Sequence, residues 1–162
     1  MGEDKAFLPI DGIPMAKRVA AAFRKAGCSE IYLVGKKRGL ASLEEKVLLD
    51  SSGLHHPLVG MAAALYHCET PWALVGPCDL PRLTEEHARA LLSGPFPCFA
   101  TDGEHAQPLL GIFPRQWAER ASIMSRNGGS ARGFSEGCHA VTLPSEALLN
   151  ANRPSQLPRS MR

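Results

Sequence analysis

Short apolar runs alternate along this chain with stretches whose apolar residues recur every three or four positions, and that alternation leaves few folds open. Residues 31–34, 46–49, 72–75, 98–100, 109–113 and 140–143 are rich in β-favouring side chains, and each is bounded on at least one side by Gly, Pro, Asp or Glu. Between them, Met15, Val19, Ala22, Phe23 and Ala26 mark one face of a helix over 14–26, with a proline at its start and Gly27 just past its end. Leu58, Met61, Ala62 and Leu65 repeat the pattern, and a weaker patch covers 43–45. Thr84, Glu85 and Glu86 open a third helix with acidic groups against its positive end. A fourth helix is expected over 117–124, followed by a glycine-rich loop over 127–137. Strands alternating with helices predict right-handed crossovers and an α/β domain, Rossmann-like, with a mostly parallel sheet covered on both faces. Ligands of such sheets bind beyond the carboxyl ends of the strands.

The 162 residues suit one domain, 1–162, with 154–162 as a frayed, basic, proline-broken tail. Eighteen Lys and Arg against 16 Asp and Glu leave a net charge of +2, too little for a nucleic-acid footprint. No apolar run approaches the roughly 18 residues of a membrane span, and residues 1–10 lack a secretion-signal layout. Cys28, Cys68, Cys78, Cys98 and Cys138 lie ten or more residues apart without a zinc spacing, and read as reduced, mostly buried thiols. A cytoplasmic protein is expected.

Several residues could carry chemistry, each with a plainer reading beside it. Lys5 precedes an apolar stretch and a turn, where it could hold phosphate or simply face solvent. In WALVGPCDLP, Asp79 directly follows a buried strand, a place for a Mg²⁺ ligand or equally for a turn cap next to Pro81. Asp50 also follows a strand and could be a cap. Asn150 and Asn152 stand ahead of Pro154, where asparagine commonly caps a helix. His55 and His56 read as a polar loop, and His67, His87, His105 and His139 are scattered.

Taken together and in order, MGEDKAFLPIDGIPM, LLDSSGLHHPLVGMAAAL, WALVGPCDLPRLT, QPLLGIFPRQ and LLNANRPSQL resemble the molybdenum cofactor guanylyltransferases, over nearly the whole chain. The resemblance implies a nucleotidyltransferase that joins GMP from GTP to molybdopterin and releases pyrophosphate, with Mg²⁺ as cofactor and molybdoenzymes or their chaperones as partners. It implies phosphate contact for Lys5, guanine-nucleotide contact for Asp50 and Mg²⁺ ligation for Asp79. Asn150 and Asn152 would lie on the cofactor side of the cleft. Val34 and Gly35 align with a further nucleotide contact, where the family often carries Asn. The family opens with a strand and a loop of the form L-A-G-G-x-S-x-R-M-G-x-D-K, and this sequence begins at its M-G-x-D-K end. A start assigned too far downstream is the expected reason, with a shortened, non-catalytic binding protein as the alternative. Transfer from CTP, or to a sugar phosphate, is the rival enzyme reading.

Overall fold

The computed structural model describes residues 5–36, 42–43, 45–49 and 53–150. A 3₁₀ turn, Lys5–Phe7, leads into a hairpin of two short strands, β1 (Pro9–Ile10) and β2 (Ile13–Pro14). Asp11 and Gly12 both take positive φ at its tip, the backbone of a tight hairpin turn. Helix α1 (Met15–Ala26) follows, with Pro14 at its cap as the sequence predicts. Gly27 closes it at φ +113°, its N–H on the Arg24 carbonyl and that of Cys28 on Phe23, a left-handed stop that a side chain would strain.

Strand β3 (Tyr32–Gly35) pairs in parallel with β4 (Lys46–Leu49), and α2 (Pro57–His67) leads on to β5 (Trp72–Val75). Helix α3 (Glu85–Ser93) begins in a capping box in which Thr84 N–H donates to His87 Nδ1 at 3.2 Å. Strands β6 (Cys98–Thr101) and β7 (Ala106–Pro114) form a hairpin. Helices α4 (Ala118–Arg126) and α5 (Ala131–Phe134) precede β8 (His139–Thr142) and a last 3₁₀ turn, Ser145–Leu148.

The larger sheet has the order β5-β7-β6-β8, with β7 antiparallel to both its neighbours and β6 parallel to β8. The fold is α/β as expected, but its sheet is mixed. The reversal has a local cause: only residues 102–105 separate β6 from β7, and so short a connection can only turn the chain back. Successive β7 residues feed opposite faces. Leu110 and Ile112 enter one core with Val19, Phe23 and Leu91, whereas Phe113 enters another with Leu58, Leu65 and Phe134. Helices α1 and α3 pack together, as do α2 and α4, making two helical layers.

Two further expectations change. The glycine-rich stretch 127–137 contains α5, begun by Ser130, whose hydroxyl accepts from Gly133 N–H at 2.9 Å. Of the five thiols only Cys98 is buried, and the others are half-buried. Among the described residues no helix is long and apolar enough to cross a membrane.

Candidate functional site

A cleft of about 910 Å³ opens between β3 and β5, with α1 and α2 on its other sides. Asp79 lines it from the turn that follows β5, and Val34 lines it from the end of β3. The route from β5 to Asp79 is tight. A Cβ on Gly76 would stand 2.9 Å from Phe23 Cζ and 3.0 Å from Leu110 Cδ1, so glycine lets the core of α1 and β7 press against the loop. Just beyond Asp79, Leu80 is fully buried, fixing the turn between two packed points.

The amino-terminal segment reaches the same place. Ala6, next to Lys5, packs in one apolar cluster with Ala16 and Leu43, and Cys78, next to Asp79, packs against that cluster. Leu33 and Val47 also join it. The chain at Lys5 and the chain at Asp79 are therefore brought together. Gly35 ends β3 opposite Leu49 in the parallel register. Asp50 follows Leu49 in the sequence and lies outside the described residues, as does Asn152.

Asn150 is held elsewhere. Gln107 at the start of β7 donates from Nε2 to Asn150 Oδ1 at 2.9 Å and to the Leu148 carbonyl at 3.3 Å. Asn150 begins no helix among the described residues and is not part of the cleft lining. Gln107 is a polar side chain that periodicity passes over, although it opens the QPLLGIFPRQ string. His56 has a structural role, since its Nδ1 accepts from Leu58 N–H at 3.2 Å and caps α2. Tyr32 and Lys46 at the outer end of β3 and β4 hold the Glu30 carboxyl below its usual range, the Tyr32 hydroxyl first among the causes. Burial pushes the Cys28 and Cys98 thiols up, which keeps them protonated and poor nucleophiles.

Among the described residues no three His, Cys, Asp or Glu side chains gather to cage a metal. The Asp79 carboxylate, in the turn beyond β5, fits a cation that draws further ligands from water and substrate phosphate. Magnesium is such a cation.

Residues 1–141 match the family described as the MobA-like NTP transferase domain. The chain belongs to this family. A probable molybdenum cofactor guanylyltransferase from Trichormus variabilis is 30% identical over 174 residues, covering 97% of this chain and 82% of that protein. A molybdenum cofactor guanylyltransferase from Yersinia pestis is 28% identical over 116 residues. That alignment takes in 68% of this chain and 60% of the Yersinia protein, so it spans less than two thirds of this relative. In three dimensions the chain is similar to molybdopterin-guanine dinucleotide biosynthesis protein A from Archaeoglobus fulgidus, at a TM-score of 0.70 and 18% identity over 95% of this chain and 87% of that one. The fold is that of the nucleotidyltransferases, and the family makes this chain one of them.

Proposed function

We propose that this family member transfers GMP from GTP to molybdopterin at the cleft between β3 and β5. The observation that carries the reading is Asp79, a carboxylate at the carboxyl end of β5, in a cleft wide enough for a nucleotide and beside the segment that bears Lys5. In the reaction, an oxygen of the molybdopterin terminal phosphate attacks the α-phosphorus of GTP. The bond from that phosphorus to the bridging oxygen of the β-phosphate breaks, and pyrophosphate leaves. The attacking phosphate is already ionised at neutral pH, so no general base is needed.

The protein's contribution is position and charge. Asp79 would hold Mg²⁺, which when bound offsets the charge of the phosphates. Lys5 is assigned to the pyrophosphate side, Asp50 and Gly35 to the nucleotide, and Asn150 and Asn152 to the pterin side. Gln107 fixes the orientation of Asn150 through its amide hydrogen bond. The reading carries a cytoplasmic location and molybdoenzymes or their chaperones as recipients of the product.

Pyrophosphate release, followed with GTP, molybdopterin and Mg²⁺, tests this directly. Asp79→Ala is expected to lower turnover by about 10²-fold or more, the loss typical of one electrostatic stabiliser. An unchanged rate would remove Asp79 from the mechanism. Replacing GTP by CTP in the same assay separates guanylyl from cytidylyl transfer, and CTP turnover equal to that with GTP would overturn the base assignment.

A further inference from the structure

Gln107 and Asn150 form an amide pair at one edge of the larger sheet. Gln107 sits on β7 opposite Ala100 of β6, and four residues further along β7 Gly111 stands opposite Val75, the last residue of β5. Because β7 runs antiparallel to β5, Gln107 lies past the carboxyl end of β5, by about 13 Å at roughly 3.3 Å per residue. That is the edge from which Asp79 leaves. The Asn150 side of the pair is anchored as well. It follows the 3₁₀ turn Ser145–Leu148, in which Ala147 is fully buried and Leu148 joins the core that holds Leu110. The approach to that turn is tied to β6, since Leu143 N–H donates to the Thr101 carbonyl at 2.8 Å.

A side-chain amide has nearly the same shape at its oxygen and nitrogen ends, so its orientation follows from a neighbour that cannot turn. The Leu148 carbonyl is such a neighbour, because a backbone carbonyl only accepts. It lies 3.3 Å from Gln107 Nε2, and an oxygen in that place would face another oxygen. The nitrogen end of Gln107 therefore points into this corner. As a donor only, it requires an oxygen from Asn150 too, and Oδ1 lies 2.9 Å away. Asn150 is exposed, and the end of its amide turned away from Gln107 is Nδ2.

We propose that Gln107 is a positioning residue that makes Asn150 a hydrogen-bond donor to the pterin, selecting an acceptor atom there, a ring nitrogen or a carbonyl oxygen. The inference rests on the pterin-side assignment of Asn150 and adds a direction to it: the protein donates and the ligand accepts. Gln107 itself touches no substrate. Without it the Asn150 amide is free to turn over, and its oxygen then opposes the acceptor that its nitrogen would have bound.

Titration calorimetry of molybdopterin into the full chain reads the affinity without turnover. Gln107→Glu keeps size and shape but can only accept, so Asn150 must turn Nδ2 inward and Oδ1 outward. Its Kd for molybdopterin is expected to rise about tenfold or more, as an opposed acceptor replaces a hydrogen bond. Gln107→Ala merely frees Asn150 and should raise the Kd by only about threefold. A purely structural role gives the reverse order, because truncation leaves a hole where the isostere does not. Affinity for GTP should be unchanged in both variants. The order should persist in 1 M salt, where charges act over about 3 Å. Should Gln107→Glu fail to fold, Asn150→Asp against Asn150→Ala makes the same comparison from the other side, since aspartate keeps one oxygen for Gln107 and presents the second to the ligand. The aspartate variant is then expected to bind more weakly than the alanine variant. Equal affinity of the wild type and Gln107→Glu, a greater loss in Gln107→Ala, or a loss that vanishes in 1 M salt and so marks plain charge repulsion, would each overturn the proposal while leaving the pterin-side assignment in place. A wild type that binds no molybdopterin would overturn both.

Discussion

Asp102 governs the turn that sends β7 back against β6. One of its oxygens, Oδ1, accepts from the N–H groups of His105 at 2.7 Å and Glu104 at 2.9 Å, and these bonds, that of His105 foremost, hold the carboxyl below its ordinary range. A carboxyl whose folded pKa is depressed contributes stability that is complete above the ordinary value of about 4 and is lost as pH falls through the lower, folded value. Asp102→Asn keeps an oxygen acceptor and removes the charge. The urea midpoint of the wild type should therefore exceed that of the variant at neutral pH, and the difference should shrink as the pH drops below about 4. A difference that stayed constant with pH would assign the loss to packing. At the same scale the site was partly legible. Asp79 stood out because an acid after a four-residue apolar run must emerge at a strand end. Gln107 did not, because its partner Asn150 is 43 positions away and nothing local marks a long-range amide pair.

Among the elements, the strands were easiest to read where the apolar run was unbroken. Trp72–Val75 and Lys46–Leu49 fall where the pattern places them. Strand β7 is longer than its apolar core because Ala106 and Gln107 extend it on the strength of pairing with Thr101 and Ala100 of β6, a tertiary contact that periodicity does not register. Its direction followed from the length of the turn before it, a signal present in the sequence but outweighed there by the crossover pattern. Helix α5 was hidden by its glycines, and its stability comes from elsewhere: Phe134 is fully buried against Phe113 and Trp117, and the Arg120 guanidinium lies 4.4 Å from the Trp117 ring centroid while donating to the Gly133 carbonyl. Gly111 in the middle of β7 has a sharper requirement. An added Cβ would lie 2.1 Å from the Cys98 carbonyl oxygen and 2.9 Å from Phe99 Cα, beside the register shift between Phe99 and Ala100. The obstacle is backbone, which cannot rotate away as a side chain could. Gly111→Ala should lower the free energy of unfolding by about 1–3 kcal/mol or more, measured by urea denaturation. A variant as stable as the wild type would mean that the two strands can separate without cost.

For the whole molecule, the decisive feature is that the β3-β4 sheet and the four-stranded sheet are joined through helices and apolar clusters, with no ladder between β3 and β5 among the described residues. The larger sheet is clamped on both faces. Phe113 and Phe134 pack with α2 and α4 on one side, and Leu110, Ile112 and Leu91 pack with α1 and α3 on the other. The smaller sheet has four-residue strands of mostly half-buried side chains, and it leans on α2 and on the Ala6, Ala16 and Leu43 cluster. Its surface ion pairs add little, since Lys46 and Glu30 are exposed. Two-stranded sheets are marginal alone, and local opening takes place where buried apolar contact is least. The β3 and β4 amides should therefore exchange with solvent through an opening that leaves β6 and β7 intact, about tenfold or more faster than the amides of 98–101 and 109–113. Native-state hydrogen exchange in low denaturant reads this directly. Equal exchange free energies in both sheets would mean that the molecule opens as one cooperative unit. A slower exchange of the smaller sheet would show that the cluster around Ala6 and Cys78 holds it more firmly than its few contacts suggest. The expected order has a functional consequence, because Gly35 and the chain leading to Asp50 belong to the loosely held sheet while Asp79 leaves the firmly held one. A nucleotide bridging both would tie the sheets together, so GTP with Mg²⁺ should slow exchange at 32–35 far more than at 98–101.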